Sequence, residues 1–88
     1  MDRELILPAD FADYAWEVES KGYLDASVST GGRVVDVTFY DPTRLAQDIA
    51  HEIAAGRLFT NARLLVLARV TPENMQAAIA SAPSRLFE

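Results

Sequence analysis

The sequence predicts an α+β fold. It reads as a two-layer sandwich, an antiparallel β-β-β meander followed by α-β-α, with two helices packed on one face of a roughly four-stranded sheet. Three observations carry this. Gly31-Gly32 separates two runs that alternate apolar and polar residues, which is the period of a half-buried strand. Asp41-Pro42 and Thr71-Pro72 each pair a capping side chain with a proline suited to a first helical turn. Between those two helix starts lies the almost continuously apolar stretch "RLLVLARV" at 63–70, which reads as a strand buried on much of both faces.

The elements follow in chain order. "RELILP" near the start is either a short edge strand or a segment tucked over the core. "DYAWEVES" alternates Tyr14, Trp16 and Val18 against Asp13, Glu17 and Glu19. The same letters admit a helical stripe at Phe11, Tyr14, Ala15 and Val18. Aromatic and β-branched content favours the strand, and Ser20-Lys21-Gly22 fits a three-residue hairpin loop with glycine at the left-handed position. The expected first strand is therefore 13–19, with Trp16 in the core opposite Ala26 and Glu17 opposite Asp25.

Counting outward from Gly31-Gly32 pairs Thr30 with Arg33, Val28 with Val35, Ala26 with Val37 and Leu24 with Phe39. The last three pairs form one apolar face. The alternate positions put Ser27 beside Asp36, Asp25 beside Thr38 and Tyr23 beside Tyr40 on the other face. A slip of one residue would scramble both faces, so the pattern sets the register. After Asp41, the apolar residues Leu45, Ile49 and Ile53 recur every four positions with Ala46, Ala50 and Ala54 alongside, and Gly56 ends the helix. Met75, Ala78, Ile79 and Ala82 form the apolar side of the last helix. Both helices are expected on the greasy face. The last strand should run parallel to the first strand and to the strand of 33–40, by a right-handed crossover, and could lie beside either of them.

The chain has 88 residues, which suits a single domain spanning 1–88. It contains no cysteine, so disulfides and thiolate sites are excluded. No apolar run approaches a membrane span, and the acidic opening "MDRELILPADF" lacks the basic region of a secretory signal. A cytoplasmic location follows as the default. Net charge is -5; residues 1–52 carry eleven acids against four Arg and Lys, and 53–88 carry two acids against four Arg. Such a chain is a poor holder of phosphate backbones, so no nucleic-acid partner is expected.

Few motifs carry chemistry. His51-Glu52 would need a second histidine at position 55 to build a zinc helix, and alanine stands there. No serine lies in a nucleophile-elbow pattern, and there is no phosphate-binding glycine loop or EF-hand spacing. Catalytic, cofactor and metal residues are accordingly not assigned. The informative feature is the outer sheet face, which is expected to carry Glu17, Asp25 and Asp36 beside Tyr23 and Tyr40. A merely solvated face usually mixes in lysines, and this chain has one, Lys21, in a turn. The expected function is therefore a small non-enzymatic interaction domain that meets a basic protein on this face. By analogy of size and charge alone, an antitoxin-like or immunity-like inhibitor would suit it. Two alternatives stand beside it. One is a small-molecule or divalent-cation-binding domain, with or without weak enzymatic activity, using Glu17, Asp25 and Asp36. The other is a homo-oligomerisation module, such as a homodimer joined through a sheet edge. A pocket of roughly 300 Å³ or more with converging polar groups would favour the ligand-binding alternative.

Overall fold

The computed structural model describes residues 3–88; Met1 and Asp2 of the acidic opening lie outside them. The elements are β1 (Arg3–Ile6), α1 (Phe11–Lys21), β2 (Tyr23–Thr30), β3 (Arg33–Tyr40), α2 (Pro42–Ala54), β4 (Leu64–Val66), α3 (Pro72–Ser81) and a closing 3₁₀ turn, Ser84–Phe87. The four strands form one mixed sheet in the order β1-β2-β3-β4. It is a two-layer α+β fold, as the residue pattern predicts.

The β2–β3 hairpin has the expected register at every position, from Tyr23 opposite Tyr40 to Thr30 opposite Arg33. Gly31 and Gly32 both take positive φ, 56° and 80°, which is what a tight primed turn demands. Val28, Val35, Val37 and Phe39 from the inner face are buried, with Leu24 and Ala26 packed against them. β4 runs parallel to β3 and lies beside it, which settles its position in the sheet. It is shorter than the expected 63–70. The ladder stops because β3 ends at Tyr40: Leu67 N–H still reaches the Tyr40 carbonyl, and beyond it no strand residue remains to pair with. Val70 turns down into the core instead.

The segment 13–19 is not a strand. It belongs to the helix α1, whose buried residues are Phe11 and Val18, with Tyr14 and Ala15 packed beside them. The helical stripe prevails because "RELI" already occupies the free edge of β2, with Leu5 opposite Val28 and Ile6 opposite Ser27. A strand at 13–19 would need that same edge. Gly22 ends α1 in the left-handed conformation, φ 72°, and its N–H bonds to the Val18 carbonyl, as a C-terminal glycine does. The expectation of a buried Trp16 is overturned with it: the indole is 68 % exposed. Trp16 is the one tryptophan of the chain. Its fluorescence is expected to peak at the long wavelength of a hydrated indole and to be quenched freely by iodide. A blue-shifted emission that resists iodide would restore the strand.

The helices over the greasy face are α1 and α3. Phe11 and Val18 of α1, Met75 and Ile79 of α3, and Phe87 of the closing turn join the sheet's inner residues in one core cluster. α2 does not share in it. It has no buried residue, which corrects the expectation that its Leu45-Ile49-Ile53 stripe would face the sheet. α1 has taken that place. α2 is fastened instead at the outer side. The Tyr40 hydroxyl donates to Asp48 Oδ2 at 2.7 Å, and Arg44 reaches the Lys21 carbonyl at 3.3 Å.

Three arginines tie down the C-terminal segment. Arg3 donates to the Ile79 and Ala82 carbonyls at 2.7 and 2.6 Å and lies over the Phe87 ring. Arg33 donates to the Phe87 carbonyl. Arg63 donates to the carbonyls of Leu86 and Glu88, each at 3.0 Å. The last carbonyls of α3, left unpaired by helix geometry, thereby gain cationic donors where the helix dipole favours them. Among the described residues no helix is long and apolar enough to cross a membrane.

Candidate outer-face groove

The alternation of β2 and β3 aims Tyr23, Asp25, Ser27, Asp36, Thr38 and Tyr40 away from the core. The two strands set Asp25 opposite Thr38 and Ser27 opposite Asp36, so the two carboxylates lie diagonally across the hairpin. A groove of about 520 Å³ opens above them. Its polar lining is Asp25, Ser27, Asp36, Thr38, Asn61 and Arg63. The far wall is the connector that returns from α2 to β4, held against β3 by the Thr38 N–H bond to the Arg63 carbonyl at 2.9 Å.

Hydrogen bonds organise the floor. Asn61 Nδ2 donates to Thr38 Oγ1 at 3.0 Å, and that hydroxyl donates to Asp25 Oδ1 at 2.8 Å. The Tyr23 hydroxyl donates to the other oxygen, Asp25 Oδ2. Ser27 donates to Asp36 Oδ1 at 3.1 Å. All these donors are neutral. The ion pairs among the described residues are Arg44–Asp48, Arg57–Glu52 and Arg69–Glu19, none of which involves Asp25 or Asp36. Arg63 lines the groove, yet its guanidinium is engaged by the C-terminal carbonyls.

A second groove, of about 380 Å³, adjoins on the α1 side and is lined by Pro8, Tyr14, Glu17, Lys21, Tyr23 and Asp25 among others. Asp25 belongs to both grooves. Glu17 therefore comes near Tyr23 and Asp25 as expected, but from α1 and not from a paired strand. Glu17 is not opposed to Asp25 on the sheet, because it lies on α1. Each groove thus holds two carboxylates and one cation, Lys21 here and Arg63 at the Asp36 end. Tyr40 is an outer-face residue but not an exposed one: it is buried, its ring 5.0 Å from that of Tyr23 and 6.3 Å from that of Phe59. It braces the groove from the side and cannot be an exposed anchor. The residues that sequence reasoning missed are Tyr14, Asn61 and Arg63. The last two sit in or beside the connector "RLFTNA", which has no periodicity to mark them; Thr38 was visible as the partner of Asp25.

The tyrosines report this geometry electrostatically. The Tyr23 hydroxyl is pushed up to about 12, first by its hydrogen bond to Asp25 and then by desolvation. Tyr40 is raised further, first by burial and then by its bond to Asp48. Tyr14 is raised as well, by desolvation and by Asp10. Asp48 is lowered, chiefly by the Tyr40 hydroxyl, with help from Arg44 against an opposing desolvation. A phenol whose folded pKa is raised contributes stability that is complete below its unfolded value near 10 and fades as pH climbs through the folded value. A lowered carboxylate contributes stability above its unfolded value, lost as pH falls through the folded one. In an ultraviolet titration of the folded chain, Tyr23 is therefore expected to ionise near pH 12 and Tyr40 well above its ordinary value of about 10. Asp25→Asn should bring one tyrosine back toward that value. Three tyrosines titrating together near 10 would contradict the Tyr23–Asp25 and Tyr40–Asp48 bonds.

Among the described residues no group of three or more His, Asp or Glu gathers closely enough to hold a metal ion. His51 is exposed on α2. Comparison of the chain with protein-family models, with curated proteins and with solved structures finds no match.

Proposed function

We propose that this chain is a non-enzymatic interaction domain whose outer groove seats a basic side chain, arginine or lysine, of a partner protein. The observation that supports the reading is the pair Asp25 and Asp36 in a groove of about 520 Å³, held by neutral donors and, among the described residues, in no ion pair. Carboxylates fixed in position by hydrogen bonds are preorganised acceptors, and a guanidinium or ammonium placed between them forms charge-assisted bonds without rearranging the floor. A partner protein is favoured over a free small molecule because Asp25 joins two grooves. The carboxylates spread over both grooves, from Glu17 on α1 to Asp36 at the middle of β3.

The concavity of the main groove gives a second reading its support. Its volume falls within the range of small-ligand sites, so a small organic cation could use the same carboxylates. One titration separates the two. A fluorescently labelled arginine- and lysine-rich peptide is expected to bind the wild-type chain, to lose at least about tenfold in affinity to the Asp25→Asn, Asp36→Asn double variant, and to weaken as salt is added. Free arginine amide competing as well as the peptide would favour the small-ligand reading. Equal peptide binding by wild type and double variant would rule out both.

A further inference from the structure

α2 carries an apolar surface that its own core does not cover. Of its apolar stripe, Leu45 is half-buried while Ile49 is exposed and Ile53 is 61 % exposed, and Leu58 just beyond the helix is 81 % exposed. The helix is fastened to its own domain by polar groups, through Tyr40 to Asp48 and through Arg44 to the Lys21 carbonyl. Its amphipathic design is thus turned the wrong way for its own core. Ordinary surfaces scatter single apolar residues; several in one stripe, at helical spacing, mark an interface.

We propose that α2 pairs with α2 of a second copy of this chain, antiparallel, with Ile49 on the two-fold axis. The spacing itself carries the symmetry. Leu45 and Ile53 stand four residues to either side of Ile49, so an antiparallel partner sets Leu45 of each copy against Ile53 of the other. An isologous contact must be self-complementary in this way. Ala46 and Ala50 beside the stripe have no side chain beyond Cβ, which permits axes to approach to about 8 Å.

Charge points to the same occupant. The chain carries -5, and two copies repel at a distance. Over 42–57, however, Arg44 and Arg57 balance Asp48 and Glu52, so this is a neutral face on an acidic molecule. Both acids of this stretch are already paired within the chain, Asp48 with Arg44 and Glu52 with Arg57, so the face brings no unpaired carboxylate to a second acidic copy. A basic partner would have no reason to choose this face over the acidic groove. The dimer is independent of the groove, and Asp25→Asn, Asp36→Asn should dimerise as the wild type does.

The test is the mass of the full chain by analytical ultracentrifugation across a concentration series, with two variants. Wild type is expected to shift from one chain to two as concentration rises. Ile53→Glu, at an exposed position, is expected to keep its far-ultraviolet circular dichroism and to weaken dimerisation at least about tenfold, since each dimer would bury two unpaired carboxylates. The chain has no cysteine, so Ile49→Cys offers a clean geometric readout. It should form an intermolecular disulfide readily under mild oxidation, whereas Gln76→Cys on α3 should not. A chain monomeric at every concentration overturns the proposal, and so does a dimer unmoved by Ile53→Glu. A dimer that Ile53→Glu dissociates but Ile49→Cys does not cross-link overturns the antiparallel arrangement.

Discussion

Gly22→Ala is expected to destabilise the domain by about 2–4 kcal/mol, lowering the melting temperature by roughly 10–20 °C for a chain of this size. Two penalties meet at this residue. Its φ of 72° is left-handed, which costs a residue with a Cβ about 1–2 kcal/mol. A Cβ built there would also collide with the carboxylate of Asp41. That carboxylate is not free to swing away without loss, because it caps α2 by accepting the Arg44 N–H at 2.7 Å, and losing such a cap costs about 0.5–2 kcal/mol. Asp41 N–H in turn bonds the Gly22 carbonyl at 2.9 Å. One methyl group therefore disturbs the end of α1 and the start of α2 together. Gly56→Ala is the control. It has nearly the same φ, 77°, and nothing within 4 Å of the added carbon, so only the conformational penalty remains. Thermal unfolding of the two variants side by side checks the account; equal losses would show that the Gly22–Asp41 contact carries no weight.

Phe39→Ala should cost about 3–5 kcal/mol, the usual loss for deleting a fully buried aromatic ring. Phe39 is fully buried and lies in one of the two central strands, between Leu24 of β2 and Leu65 of β4. Its ring belongs to the same cluster as Val18, Met75 and Ile79, so no single neighbour can collapse into the space. A domain of this length has about 5–10 kcal/mol to lose, and the variant is expected to be largely unfolded at modest urea concentrations. Trp16→Ala removes a larger side chain from an exposed helix position and should change stability by less than about 0.5 kcal/mol. The contrast inverts the ranking that the alternating pattern at 13–19 suggests, and urea midpoints for the two variants measure it directly.

The parts of the fold legible in the sequence are those where two local signals agree. The hairpin register had both a turn that demands positive φ and a period of two on each side. The starts of α2 and α3 had a capping side chain followed by proline, and both caps form, Asp41 to Arg44 N–H and Thr71 to Asn74 N–H. At 10–20 the signals conflict. Tyr14, Trp16 and Val18 satisfy a strand, while Phe11, Tyr14, Ala15 and Val18 satisfy a helix, and Gly22 takes a left-handed conformation under either reading. The decision is tertiary: four residues of β1 hold the edge of β2, and a helix is what remains for the chain to cover the core. The apolar stripe of α2 was legible as a stripe, but periodicity does not say which surface will cover it.

The same division holds for the site. Asp25 and Asp36 are diagonal neighbours because the register makes them so, and this was readable. Glu17 reaches the same neighbourhood through α1, by a route the strand reading did not contain. Asn61 and Arg63 close the groove by contacts to Thr38 and to residues 86–88, bonds that span more than twenty residues and leave no trace in local composition.

The proposed function requires that the outer groove, through Asp25 and Asp36, receive a basic side chain. Amide chemical-shift mapping of the isotope-labelled chain, titrated with a short arginine- and lysine-rich peptide, tests it residue by residue. Saturable shifts are expected at Asp25, Ser27, Asp36, Thr38, Asn61 and Arg63, with small changes along α3 and loss of the shifts in the Asp25→Asn, Asp36→Asn variant. Shifts spread over every acidic residue without saturation, or a saturable site elsewhere that the double variant leaves intact, would contradict it.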